Sequence, residues 1–378
     1  MGAAGKKRGV DKKVKKFFRV MGVVLVSMLL FSSGGCGKSG ENGRLNVYNW
    51  GDYIDPQVLE DFSKEYGIEV VYEEFATNED MYVKVAEKSG QYDVAIPSDY
   101  MIKKMIDEDM LNTIDMSKIT NYNKILDRFK NLAYDPENQY SVPYMWGTVG
   151  ILYNTTMVDD KVDSWDILWN PKYEKKIFMM DSQRDSIGIT LKRLGYSLNT
   201  KNEAELEEAK EALIQQKPLV LSYIGDEGKD AMINGEAALG VFWSGDAAYC
   251  MSSNPDLNYV IPKEGSNIWF DSMVIPKTAQ NVEAAHLFID YMCRPEVAMK
   301  NVEYIQYSSP IGEVIQQLPE EVTGNIAFYP GENDLEGSEV LEDLSDELDG
   351  KVEFAKINID EHPDLATKYG ISSIPTVI

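Results

Sequence analysis

Between Arg44 and Tyr100 the chain alternates, at short and regular spacing, between segments patterned for a strand and segments patterned for a helix. Leu45, Val47 and Asn49 fall on one face of an extended segment that stops at Trp50-Gly51. Asp55-Pro56 then supplies an N-cap and a first-turn proline, Val58, Leu59, Phe62 and Tyr66 mark one helical face, and Gly67 ends it. Residues 68–75 read as a second strand, 78–89 as a second helix stopped by Gly90, and Tyr92 to Ser98 as a short buried strand running into a turn. Such alternation predicts an α/β domain with a largely parallel sheet. In such sheets ligands gather at the carboxyl ends of strands, which directs attention to what stands there.

Aromatic residues and carboxylates stand there. Trp50-Gly51-Asp52-Tyr53 follows the first strand and Ser98-Asp99-Tyr100 the third. Related clusters recur at Trp243-Ser244-Gly245-Asp246 and Trp269-Phe270-Asp271-Ser272. An aromatic face attracts an ammonium by roughly 0.5–2 kcal/mol, depending on desolvation. A carboxylate beside it adds charge-assisted hydrogen bonds. Each cluster alone is weaker than the set, because a tryptophan at a strand end is commonly a core residue. Ser98 serves equally well as the cap of the following helix or as a ligand contact. Asp271, in an otherwise apolar strand, requires a partner, either a cationic ligand or an Arg or Lys of the chain. Arg184, between Asp181 and Asp185, reads most simply as a structural ion pair and otherwise as a clamp for a ligand carboxylate.

Beyond the first three strands, Gly150 to Asn154 predicts a strand. A helix capped by Ser164 carries Trp165, Leu168 and Trp169, and Ile177 to Met180 forms another strand. A charged helix spans Glu203 to Gln216, strands follow at Leu239–Phe242, Asn258–Ile261 and Trp269–Ile275, and a helix runs from Val282 to Met292. At 378 residues, 44% hydrophobic and 26% charged, the chain accommodates two or three globular domains. Its net charge of -25 repels nucleic acid and anionic lipid and weakly favours cationic ligands. The only histidines are His286 and His362, which leaves no zinc cluster and no histidine triad. Neither a glycine-rich dinucleotide fingerprint, a phosphate-binding loop nor a nucleophile elbow is present. Binding explains these carboxylates better than acid–base catalysis, and no cofactor is called for.

Residues 1–36 have the layout of a targeting segment. Eight basic residues from Lys6 to Arg19 precede the apolar run Val20 to Phe31, which is too short to span a bilayer, and small residues lead to Cys36. This resembles a bacterial lipoprotein signal in which Cys36 carries the lipid, although Ser33 stands where leucine is usual. Residues 37–43 form a polar tether. Cys250 and Cys293 remain, as one disulfide or as two buried thiols.

From Arg44 to about Asp343 these segments resemble the spermidine/putrescine-binding proteins, the extracytoplasmic receptors of polyamine ABC importers. The resemblance rests on Tyr48 to Tyr53, Tyr92 to Tyr100, Pro143 to Gly147, Gly195 to Ser197, Gly240 to Gly245 and Trp269 to Pro276. It implies a non-enzymatic, two-lobed periplasmic-binding-protein-like fold of type II, with the ligand enclosed between lobes. One lobe comprises residues 44–146 and 274–315, the other 147–273 and 316–343. Carried over, the ligand-binding residues are Trp50, Tyr53, Tyr100, Trp243 and Trp269 as an aromatic box, Asp52, Asp185 and Asp271 as amine acceptors, and Ser98 as a polar contact. The implied partners are a polyamine, the ABC permease subunits and, through lipid on Cys36, a membrane. The implied location is the outer face of the cell membrane or the periplasm. Aspartate at positions 52 and 185, where family members often carry glutamate, Ser182 at a position sometimes acidic, and Leu341 at a glutamine position leave the choice between diamine and triamine open. A rival reading is a receptor for a zwitterion held by Arg184.

Residues 344–378 resemble the second half of a thioredoxin, with Pro375 at that family's cis-proline position. No C-x-x-C occurs anywhere, so thiol–disulfide exchange is not expected. The segment is expected to be a truncated fragment, by fusion or frameshift, that docks poorly.

Overall fold

The structure is a computed structural model that describes residues 43–87, 91–225 and 228–342. The leader with Cys36, nearly all of the tether and the thioredoxin-like tail lie outside the described residues.

The first lobe is built as its pattern predicts. Strand β1 (Arg44–Trp50) leads into helix α1 (Pro56–Tyr66). The Asp55 side chain accepts from the Gln57 N–H, and Gly67 closes the helix in the left-handed conformation at φ 66°. Strand β2 (Glu69–Phe75) then pairs parallel to β1. Helix α2 (Asn78–Ala86), capped by Thr77, is followed by β3 (Val94–Ala95), also parallel to β1, and by α3 (Asp99–Asp107). Only Val94–Ala95 of the predicted third strand is regular strand, although the N–H groups of Asp93 and Ile96 still donate to the Asn46 and Tyr48 carbonyls of β1.

Strand β4 (Ser141–Asn154) is the longest of the described strands. Beyond it, β5 (Ile177–Met180), α4 (Gln183–Leu194), α5 (Glu203–Gln216), β6 (Val220–Ile224) and α6 (Gly228–Ile233) build the second lobe. β7 (Leu239–Trp243), α7 (Ser244–Ser253) and β8 (Leu257–Val260) complete its repeating units. The helix expected after Ser164 is present as the 3-10 helix Trp165–Trp169, capped by the Ser164 side chain and ended just before Pro171. β9 (Ile268–Val274) then leads to α8 (Val282–Met292) and α9 (Pro295–Ile305), which pack back on the first lobe. Phe288 of α8 meets Phe62 of α1 edge-on at 5.2 Å. The buried Asp93 ties this return in place, accepting from the Asn46 N–H on one oxygen and from the Gln280 and Asn281 N–H groups on the other.

The order β2-β1-β3-β9-β4-β7-β5-β6, with β8 also on β4, explains how the lobes join. From Ser141 to Thr148 β4 pairs with β9, and from Val149 to Asn154 it pairs with β7 and β8. One strand therefore serves both sheets. A register shift between Pro143 and Met145 accommodates the proline. Cys250 and Cys293 are free and buried. Trp165 is a core residue, and Trp169 is half-buried with its indole N–H donating to the Ala212 carbonyl.

Candidate ligand cleft

Of the predicted site residues, Trp50, Asp52, Tyr53, Ser98, Tyr100, Asp185 and Trp243 lie at or just after the carboxyl ends of β1, β3, β5 and β7, whereas Trp269 and Asp271 lie within β9. Asp271 of β9 is the centre of the tightest group. It is 6% exposed, accepting from the Ser98 hydroxyl at 2.7 Å on one oxygen and from the Tyr53 hydroxyl at 2.7 Å on the other. Ser98 precedes α3, yet its side chain makes no cap bond. The hydroxyl is committed to Asp271 across an isolated antiparallel bridge. Burial pushes the Asp271 carboxyl up to about 6, against the pull of both hydroxyls, and the nearby charge of Asp185 adds to the rise.

Asp185 stands in the first turn of α4 and is 6% exposed. It accepts from the Asn267 amide at 2.9 Å, while its own N–H reaches the Ser182 hydroxyl at 3.3 Å. Desolvation raises its carboxyl, and Asn267, Ser182 and the Trp243 indole draw it back. Trp243, half-buried at the end of β7, thus faces Asp185. Asp52 differs from both. It has left-handed backbone at φ 51°, and its side chain is 80% exposed with one oxygen 3.9 Å from Lys229.

The aromatic residues fall into two groups. Tyr53 meets Tyr307 edge-on at 5.2 Å and Tyr144 at 5.4 Å, and Tyr307 in turn contacts Trp269 at 5.5 Å. Backbone approach sets this stack. A Cβ on Gly147 would lie 2.4 Å from the Trp269 ring, and one on Gly245 would lie 2.2 Å from the Tyr307 ring. Trp50, half-buried, packs instead on Phe75 at 4.6 Å. Tyr100 accepts from the Asn78 amide and donates to Glu79, with the Arg184 guanidinium over its ring at 5.3 Å. Arg184 also donates to the Glu342 carbonyl at 2.6 Å, so it serves a ring and the C-terminal segment.

Four neighbours are not singled out as site residues by the sequence, although Asp99 and Asp246 stand in its aromatic–carboxylate clusters. Asp99, 1% exposed, accepts from the N–H groups of Phe270 and Tyr100, and burial pushes its carboxyl up to about 8. Its place in the Ser98-Asp99-Tyr100 cluster is visible in the sequence, but its burial is not. Tyr307 lies in a Tyr-Ser-Ser-Pro loop without periodicity, and Asn267 in a loop before β9. Asp246, in the first turn of α7, is 4% exposed and lies 3.4 Å from Lys229. Its place beside Trp243 is visible in the sequence, but its depth is not. A separate 480 Å³ depression lined by Asn121, Lys124, Arg294 and Glu313 contains none of these residues. There Lys124 pairs with Glu313, and Arg294 pairs with Glu65.

Two sheets sharing a strand, with aromatic rings and buried carboxylates at the strand ends, define a solute-binding receptor of the two-lobed type. The chain belongs to the family of bacterial extracellular solute-binding proteins, which it matches over residues 57–329. It is 37% identical over 308 residues to the spermidine/putrescine-binding periplasmic protein of Salmonella typhimurium, covering 81% of this chain and 88% of that protein. The namesake from Escherichia coli K12 is 37% identical over 306 residues, covering 80% and 88%. Among solved structures, a putative spermidine/putrescine ABC transporter protein of Listeria monocytogenes superposes with a TM-score of 0.79 at 41% identity, covering 87% of this chain and 99% of that one. The spermidine/putrescine substrate-binding protein of Streptococcus pneumoniae, crystallised with calcium and HEPES, gives 0.72 at 43%, covering 87% and 98%. Residues 338–378 match the thioredoxin family. Of these, 338–342 are described, and they belong to the second lobe. Glu339 bridges to Asn267 and pairs with Lys192 at 2.5 Å.

Proposed function

We propose that the protein is an extracytoplasmic receptor that captures putrescine or spermidine between its lobes and delivers it to the permease subunits of an ABC importer. Residues 44–146 with 274–315 form one closing body and 147–273 with 316–343 the other, and lipid on Cys36 holds the receptor at the membrane. The observation that carries the reading is Asp271, a buried carboxylate whose side-chain partners are two hydroxyls. Such a group is costly until a cation reaches it. A carboxylate accepts up to about four hydrogen bonds, so an ammonium adds to the Ser98 and Tyr53 contacts without displacing them. Tyr53, Trp269 and Tyr307 offer ring surface for the methylene chain beside it, and Asp185 with Trp243 offers a second acceptor. The names of the curated relatives support the same ligand class and an extracytoplasmic location.

The zwitterion reading draws less support, since the Arg184 guanidinium is engaged by the Tyr100 ring and the Glu342 carbonyl. Calorimetric titration with putrescine, spermidine, arginine and glutamate tests the proposal. Heat with a polyamine, lost in Asp271→Asn, supports it. Binding of glutamate alone, lost in Arg184→Ala, would replace it with the zwitterion receptor.

A further inference from the structure

Asp185, at the seam between the lobes, is held through Asn267 by a segment that lies outside every helix and strand. Residues 337–342 run beside the loop that leads into β9. The Glu339 N–H donates to the Ser266 carbonyl at 2.9 Å, and the Ile268 N–H donates to the Glu339 carbonyl at 2.8 Å. The Ser266 N–H donates to the Ser338 hydroxyl at 3.0 Å. Two glycines permit this approach. A Cβ on Gly265 would lie 2.1 Å from the Gly337 carbonyl, and both residues have left-handed backbone, at φ 84° and 74°. Glu339 thus bonds the backbone on either side of Asn267. β4 holds the same loop, since the Val149 N–H donates to the Asn267 carbonyl at 3.0 Å and the Ser266 hydroxyl donates to the Val149 carbonyl at 2.6 Å. The Asn267 side chain, 4% exposed, donates to Asp185 at 2.9 Å, and its amide oxygen has no hydrogen-bond partner among the described residues. The backbone that carries this donor therefore sets where it points.

The side chain of Glu339 closes the circuit on the helix that carries Asp185. Its carboxylate accepts from the Lys192 ammonium at 2.5 Å on one oxygen and from the Ser197 hydroxyl on the other. Burial works against that charge, and Lys192 and Ser197 more than offset it, holding the Glu339 carboxyl below its usual range. Lys192 stands on α4 about two helical turns after Asp185, and its side chain is only 8% exposed. A buried ammonium deprived of its partner is costly, so the pair clamps the segment against α4. Asn199 adds two bonds, donating to the Val340 carbonyl at 2.8 Å and accepting from the Glu342 N–H at 2.9 Å. Contacts therefore run from Asp185 through Asn267 and its flanking residues to Glu339, and return through Lys192 to the same helix.

We propose that Glu339 is a positioning residue of the receptor, which through the loop Ser266-Asn267-Ile268 sets the amide that orients the Asp185 carboxylate toward an ammonium of the ligand. An acceptor is precise only when the groups behind it are themselves fixed. Breaking the Glu339–Lys192 pair frees the segment from α4, the loop loses one of its two supports, and Asp185 loses a fixed donor. The inference rests on the polyamine reading of the cleft, with Asp185 as an acceptor.

The test is calorimetric titration of putrescine and spermidine into the full chain and its variants, each first shown by circular dichroism to be folded. Glu339→Lys and Lys192→Glu each break the pair, and the double variant restores it with the charges exchanged. Each single variant is expected to weaken the better-bound amine at least fivefold, and the double variant to return within twofold of wild type. Charge alone predicts the opposite for Lys192→Glu, which adds an acidic group and would tighten a cation. In an Asn267→Ala background Glu339→Lys is expected to weaken binding no further, because its influence passes through that amide. If a single variant does not fold, the neutral pair Glu339→Gln with Lys192→Met replaces it, with at least a threefold weakening expected. Single variants within twofold of wild type, tighter binding by Lys192→Glu, a double variant no better than the singles, or effects that add in the Asn267→Ala background overturn the proposal and leave Glu339 a structural ion partner. Wild-type protein that binds neither amine overturns the polyamine reading, and the inference with it.

Discussion

Replacing Asp271 with asparagine should move stability and binding in opposite directions. In the ligand-free protein the carboxyl is pushed up to about 6 from an ordinary 3.8. Keeping it ionised at neutral pH therefore costs the fold about 3 kcal/mol relative to the unfolded chain. Asparagine removes that cost, in which both hydroxyl bonds to the charged form are already counted, and keeps an oxygen for the Ser98 hydroxyl, but it turns an amide donor toward the Tyr53 hydroxyl, a mismatch of about 2 kcal/mol. The net is a gain of about 1 kcal/mol, or a few degrees in melting temperature. Binding loses a charge-assisted bond to an ammonium, about 1.5–3 kcal/mol, which weakens the dissociation constant roughly 10- to 150-fold. Thermal unfolding without ligand and calorimetry with putrescine and spermidine, both at pH 7.5, read the two effects. A variant that melts several degrees lower and still binds either amine within threefold of wild type would refute the reasoning, since Asp271 would then be a structural acceptor.

The same carboxyl makes binding depend on pH. Because an ammonium needs the ionised form, polyamine affinity should hold above about pH 7 and fall toward tenfold per unit below about 6, as calorimetry across pH 5 to 8 would show. Ligand-free stability should run the other way. Asp271 and Asp99 have raised values in the fold, so their contribution is fullest at low pH and is lost as pH rises through about 6 and about 8; a melting temperature that climbs between pH 6 and 8 would contradict this. Ser98→Ala removes no helix cap, so melting should change by less than about 1 kcal/mol, while the midpoint of the binding pH profile rises as Asp271 loses a donor. Gly245→Ala should cost about 1–3 kcal/mol and weaken polyamine binding, because its Cβ must displace the Tyr307 ring, and unchanged melting would show that the ring moves freely.

The first lobe is legible because its signals are local. Asp55-Pro56, Gly67 and the apolar periods around them act within a few residues, and the structure places α1 and β2 where they indicate. β4 is harder to read. Pro143, Gly147 and Gly150 break the pattern of a strand that runs unbroken for 14 residues, and the bulge that absorbs the proline depends on its pairing with β9. Site residues divide along the same line. Asp271 and Tyr53 declare themselves by a carboxylate in an apolar strand and an aromatic at a strand end. Tyr307 and Lys229 reach the seam only through tertiary folding, from a turn after α9 and a short helix beside β6. A one-dimensional pattern has no mark for a residue whose partner is more than 170 positions away, as Lys229 is from Asp52.

Asp99, Asp185, Asp246 and Asp271 are all buried along one seam, and each carboxylate out of water carries a desolvation cost. What answers that cost differs at each. Asp99 receives two backbone N–H groups, Asp185 an amide, and Asp246 a lysine. Asp271 receives two hydroxyls, each at 2.7 Å, and they bring no charge. On the proposed reading, an incoming ammonium supplies the charge that Asp271 lacks. Proton and ammonium compete for this one group. If Asp271 is the acceptor proposed above, a fall in pH through about 6 is expected to weaken the grip on the ligand.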